Sequence, residues 1–107
     1  MRKLNIKPLS VNQCWQGQRF KTKEYLQYEQ NVLLMLPKLK VPEPPFRLEL
    51  LFGFSNMASD IDNPVKPFVD ILQKKYGIND KDVFELFIIK TKVDKGKEFI
   101  KFELKSL

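Results

Sequence analysis

An α+β fold is predicted, with the order β-α-β-α-β-β and two helices packed on a small mixed sheet. Three observations carry the prediction. Phe46, Leu48, Leu50, Phe52 and Phe54 fall on alternate positions, the period of a strand with one buried face. Two stretches space their apolar residues at helical intervals between helix-bounding residues, Thr22 and Pro37 for one, Pro64 and Gly77 for the other. The last third is rich in Phe, Ile and Val and is broken once, at Asp94-Lys95-Gly96. The whole chain, 1–107, is the size of a single domain, and pairing with a second copy is a natural way for so small a unit to bury more apolar area.

Each element has its own justification. Leu4 and Ile6 alternate with polar neighbours and Pro8 limits the run, so a short strand opens the fold. Leu9 to Phe20 reads as a loop, unusually polar and aromatic, carrying Ser10, Asn12, Gln13, Trp15 and Arg19. Thr22 is placed as the N-cap of a helix whose stripe is Tyr25, Tyr28, Val32 and Met35 or Leu36, and Pro37 ends it. Lys38 to Pro45 is a stiff connector before the strand at Phe46. In the second helix Pro64 takes the first position, Asp62 or Asn63 caps it, and Val65, Phe68, Val69, Leu72 and Tyr76 share a face up to Gly77. Val83 to Val93 is expected to be a buried strand, hairpin-linked through Asp94-Lys95-Gly96 to Phe99–Leu104.

Composition narrows the chemistry. Nineteen Lys and Arg against thirteen Asp and Glu give a net charge of +6, which favours polyanions through counterion release. Histidine is absent, which excludes Ser-His-Asp and Cys-His hydrolysis, His-ligated zinc and any imidazole base. Any catalysis must run on carboxylates, lysines, tyrosines and a hard metal ion. The lone Cys14 cannot form an internal disulfide and fits a reducing cytoplasm. Met1 to Lys7 lacks the apolar core of a signal peptide, and no apolar run approaches the roughly 20 residues that span a bilayer, so a cytoplasmic protein is expected.

The informative stretch is Ser59-Asp60-Ile61-Asp62-Asn63-Pro64-Val65-Lys66. In an extended chain, residues two apart project to one side, so Asp60 and Asp62 would point together. Converging carboxylates need a cation between them, and magnesium suits such a site because it keeps waters and phosphate oxygens as its other ligands. Lys66, about a turn into the helix, could reach back to meet charge on a phosphate under attack. Asp80 follows the helix in Gly77-Ile78-Asn79-Asp80, where a strand-helix-strand unit would return it to the sheet. Plainer roles remain open for each of these residues: a helix cap, turn residues at Asp80 and Asp82, a surface lysine.

At these positions the chain resembles the RusA family of Holliday junction resolvases. The family's Asp-x-Asp-Asn with a lysine three residues on matches Asp60, Asp62, Asn63 and Lys66. Its next helix matches Phe68-Val69-Asp70-Ile71-Leu72, and its turn ending in Asp before a strand matches Gly77 to Val83. Its opening Pro-x-Ser-x-Asn loop matches Pro8-Leu9-Ser10-Val11-Asn12, with Gly17, Arg19 and the helix near Thr22 following. The resemblance runs nearly the length of the chain. One departure is Asn79-Asp80, where the family often has two consecutive Asp, so the third acid is assigned to Asp80 over Asp82.

The resemblance implies a RusA-like fold and a homodimer that nicks opposed strands of a four-way DNA junction symmetrically, in recombination and repair. Asp60, Asp62 and Asp80 would be both the catalytic acids and the ligands of Mg2+, with Mn2+ as a substitute, and Lys66 the essential lysine. Lys7, Asn12, Arg19, Lys21 and Lys23 are the candidate DNA-binding residues, and Trp15 or Phe20 the candidate wedge against unstacked bases. The rivals are a junction-binding module without chemistry, a nuclease acting on flaps or forks, and an interaction protein whose acids are only caps and turns.

Overall fold

The computed structural model describes residues 1–17 and 20–107. Its elements are β1 (Arg2–Leu4), β2 (Trp15–Gln16), β3 (Phe20–Lys21), α1 (Lys23–Met35), β4 (Phe46–Phe54), α2 (Val65–Tyr76), β5 (Val83–Lys92) and β6 (Phe99–Ser106). The mixed α+β architecture with two helices is therefore present. The main sheet has the order β1-β6-β4-β5, with β4 and β5 parallel and the other pairs antiparallel.

Local chemistry sets the helix ends. The Thr22 hydroxyl accepts the Tyr25 N–H at 3.1 Å and starts α1. Pro37 disfavours a helical Leu36, which turns extended with ψ 127°. Leu36 is buried and Met35 exposed, which settles the last position of the α1 stripe. Gly77 closes α2 in the left-handed conformation at φ 67°, which an L side chain adopts only under strain.

Both helices cover one face of the sheet. Tyr25, Tyr28 and Val32 of α1 and Phe68, Ile71 and Leu72 of α2 join Leu48, Leu50, Phe52, Ile100 and Phe102 in a single buried cluster. Phe68, fully buried, meets Phe52 and Phe102 edge-on at centroid distances of 6.3 and 5.7 Å. The other face stays open. There Gly53 lets the Phe99 ring lie so close that an added Cβ would sit 2.5 Å from it.

Four sequence expectations are corrected. The segment from Leu9 to Phe20 is not a plain loop, since it holds a 3-10 turn at Val11–Gln13 and the β2 strand of a two-stranded hairpin with β3. The opening strand stops at Leu4, before Ile6. Strand β5 is not buried: it lies at the sheet edge, paired among the described residues only with β4, and Phe84, Leu86, Phe87 and Ile89 are exposed. Nor do β5 and β6 form a hairpin. After Lys92 the Val93 N–H bonds Phe54 O at 2.8 Å, the chain turns at Asp94–Lys97, and β6 enters on the far side of β4. A turn sequence that reverses the chain is equally compatible with stepping across one strand.

Glu29 ties the hairpin to both helices, accepting from Lys21 at 3.1 Å and from Lys74 at 3.2 Å. Burial pushes its carboxyl up, but the two lysine hydrogen bonds and charges outweigh this and hold it below the usual glutamate range. A depressed folded-state value means stability that is present above the ordinary glutamate pKa and lost as pH falls through the folded one. Glu29→Gln is therefore expected to flatten the acid limb of a stability-versus-pH curve while leaving its high-pH limb the same shape. A mutant curve parallel to wild type down to pH 3 would contradict this. Among the described residues, no helix is long and apolar enough to cross a membrane.

Candidate active site

The chain leaves the sheet at Phe54 and enters a loop pinned from β5: the Lys90 ammonium donates to Met57 O at 3.1 Å and to Ser59 O. From Asp60 the backbone tightens into consecutive turns, with Asn63 N–H to Asp60 O and Val65 N–H to Asp62 O, both 3.1 Å. These bonds, and not an Asp62 or Asn63 side chain, precede α2, whose N-cap is Pro64 with no side-chain cap. The expected cap is thus absent. The expected extended geometry is absent too. At about three residues per turn, positions two apart diverge by about a third of a turn, so Asp60 and Asp62 are not presented as a parallel pair.

Asp62 instead shares a groove with Lys66 and Asp80. This groove of about 360 Å³ lies between α2 and β5, with an apolar floor of Leu48, Val65, Val69, Val83, Leu86 and Ile88. It is open because β5 is an edge strand that neither helix covers. Neither Asp60 nor Asp82 lines it. Asp80 is placed by a 3-10 turn at Asp80–Asp82, where the Asn79 side chain caps Lys81 N–H at 3.1 Å and Gln73 Oε1 accepts Asp80 N–H at 3.0 Å.

Lys66 Nζ lies 2.9 Å from Asp70 Oδ1 and 3.8 Å from Asp80 Oδ2. The Asp70 hydrogen bond is the main cause of a pKa above the usual lysine value, with the charges of Asp70 and Asp80 adding to it. Lys66 is therefore a fixed cation at neutral pH and no proton acceptor. Asp70 was missed as a site residue on sequence, although its i,i+4 spacing from Lys66 is the standard signal for a helix ion pair. The six ion pairs among the described residues include neither Asp60 nor Asp62. Among the described residues, no three acidic or cysteine side chains converge as a metal-holding group.

The other predicted residues are spread around this groove. Lys7 and Asn12 line a second, polar cleft that adjoins the acidic loop. Lys21 is held by Glu29 and lies 5.2 Å over the Tyr25 ring. Lys23 is exposed at the start of α1. Arg19 lies outside the described residues. Trp15 packs edge-on against Tyr25 at 5.8 Å and is still partly exposed, while Phe20 is 72% exposed on the hairpin. Cys14 is buried, and burial first and the Asp70 charge second push its thiol up to about 11, so it stays protonated and inert.

No family model and no curated protein matches this chain.

Proposed function

We propose that this chain is a magnesium-dependent endodeoxyribonuclease that resolves four-way DNA junctions as a homodimer in a reducing cytoplasm. The observation that carries the reading is one open groove holding Asp62, Asp80 and the cation Lys66, on a molecule of net charge +6. The sequence resemblance supplies the junction and the paired nicks.

The donor set suits a hard cation. Asp62 and Asp80 are carboxylates at one solvent-open groove, and among the described residues Asp60 and Asp62 carry no ion pair that would compete, while Asp80 lies 3.8 Å from Lys66. Two carboxylates with water and phosphate oxygens would form a sufficient magnesium site. Bound there, Mg2+ or Mn2+ would supply Lewis-acid polarisation of the phosphate and a more acidic water.

The chain's own residues do the rest. Hydrolysis joins water oxygen to phosphorus as the bond to the 3′ oxygen breaks; the water gives up a proton to solvent, and negative charge grows on the departing oxygen. Lys66, kept protonated by Asp70, stands beside Asp80 to offset that charge. The apolar floor of the groove excludes water behind the reacting phosphate. Trp15 and Phe20, both partly or largely exposed, offer ring faces to bases unstacked at a crossover.

Homodimer formation is supported by β5. An exposed ten-residue edge strand bearing Phe84, Leu86, Phe87 and Ile89 is a template for a second strand. Ile89→Lys is expected to raise the dimer dissociation constant at least about tenfold while the folded spectrum is retained. Sedimentation showing an unchanged dimer would move the interface elsewhere.

Metal binding is tested by thermal shift. Magnesium at about 100 times its dissociation constant should stabilise the fold by about 2.7 kcal/mol, an effect absent from the Asp62→Asn/Asp80→Asn double variant. Equal shifts in both proteins would dissociate the metal from this groove.

A further inference from the structure

We propose that Lys90 is a positioning residue, which ties the acidic loop to β5 and so holds Asp62 in the frame of Asp80. The proposal rests on the nuclease reading and adds to it a residue that does not line the groove. The loop between β4 and α2 has little else to order its middle. Met57, Asp60, Ile61 and Asp62 are all exposed, so apolar burial contributes little there. The two roots of the loop are fixed, by Ser55 Oγ donating to Glu98 at 2.7 Å and by Val11 N–H bonding Asn63 O at 2.8 Å. Between the roots the loop's own bonds are local. Asn56 Oδ1 accepts Ala58 N–H at 2.9 Å, and Asp60 O accepts Asn63 N–H at 3.1 Å. Such turns shape a loop but do not attach it to the sheet.

Lys90 makes that attachment. Among the described residues it is the one side chain from another element that bonds the backbone of residues 56–62, donating to Met57 O at 3.1 Å and to Ser59 O. An ammonium carries three donors and no acceptor, which suits it to bridge two carbonyls of one loop. Its own base is firm. Lys90 is paired with Phe52 in the β4–β5 ladder, is half-buried, and has its ammonium 5.8 Å from the ring centroid of Phe54, the last residue of β4. An apolar side chain of similar length would fill the same space and make neither bond.

The position of the tie gives it a consequence for the site. Ser59 is followed directly by Asp60, and Asp62 comes two residues later. At the other end of the same strand, the Asp80–Asp82 turn runs straight into Val83, the first residue of β5. One strand therefore sets Asp80 through its start and the Asp62 loop through Lys90. When only a fraction of molecules holds a loop in its binding-competent form, apparent affinity falls by that fraction. Releasing the tie is therefore expected to weaken metal binding while leaving the metal-loaded site unchanged.

Two measurements on the full chain test this. The first needs neither metal nor DNA: in Lys90→Met, 15N order parameters of residues 57–62 should fall below about 0.6 while those of β4 stay near 0.85. Lys90→Gln, whose polar tip is shorter, should loosen the loop in the same way, and Lys90→Arg should keep most of its order. The second is a magnesium titration of binding and junction cleavage. Lys90→Met should raise the apparent magnesium dissociation constant about tenfold, with cleavage returning to within about twofold of wild type at saturating metal. A merely structural role would lower the denaturation midpoint and leave the magnesium dependence where it was. Unchanged order parameters in both Lys90→Met and Lys90→Gln would overturn the tie, whether or not the chain cuts DNA. A loosened loop with wild-type magnesium affinity would overturn the positioning role while leaving the nuclease reading intact.

Discussion

Asp62→Asn is expected to lower magnesium-dependent junction cleavage at least about 100-fold while junction binding survives, because it removes one negative charge and one hard ligand without changing shape. The direction for binding is informative. Loss of a carboxylate from a site that meets phosphate reduces repulsion, so affinity should hold or rise when metal is absent. Asp80→Asn should behave alike, since both acids line the groove, whereas Asp82→Asn should cleave nearly as wild type because Asp82 does not line it. Gel-shift and cleavage assays on the same junction separate the two effects. A 100-fold loss in Asp82→Asn with Asp80→Asn fully active would reassign the third acid.

Phe68→Ala carries the second large effect. Phe68 is fully buried under α2, with its ring edge-on to Phe52 and Phe102. Truncating it removes that contact and leaves a cavity, a loss of about 3–5 kcal/mol. A small domain has only about 5–15 kcal/mol to lose, so the variant should unfold at much lower denaturant or become partly unfolded at 37 °C. The same helix carries Lys66 and Asp70, so function should fall with the folded fraction. Chemical denaturation checks this: a midpoint within experimental scatter of wild type would mean that Phe68 does not anchor α2 to the sheet.

Much of the fold was legible because its signals are local. The alternation from Phe46 to Phe54, the Thr22 cap and the Gly77 stop each follow from one or a few neighbouring residues. What the sequence concealed depends on partners distant in the chain. The apolar run around Phe84 to Ile89 looks the same whether a helix covers it or the sheet ends there, so β5 as an exposed edge could not be read. The step of β6 across β4 was hidden for a similar reason, since Asp94-Lys95-Gly96 specifies a reversal and not the strand that receives it.

The candidate site divides along the same line. Asp62, Asp80 and Lys66 line one groove, because a parallel β4-α2-β5 unit returns the chain beside its own start. Asp60 does not join them, because the 60–64 segment is turned where the spacing argument assumed extended chain. Asp70 was overlooked as the residue that holds Lys66 in place, and the Ser10–Gln13 turn gave no sign on sequence that it would bond to the acidic loop.

The most direct test is strand-resolved cleavage of a labelled synthetic four-way junction beside the matching linear duplex, with and without magnesium. The resolvase reading predicts paired nicks in opposed strands of the junction only, at symmetric positions, dependent on the metal. Intact junctions that the protein nonetheless binds would contradict catalysis and leave a binding module, and equal cutting of linear duplex would contradict junction specificity.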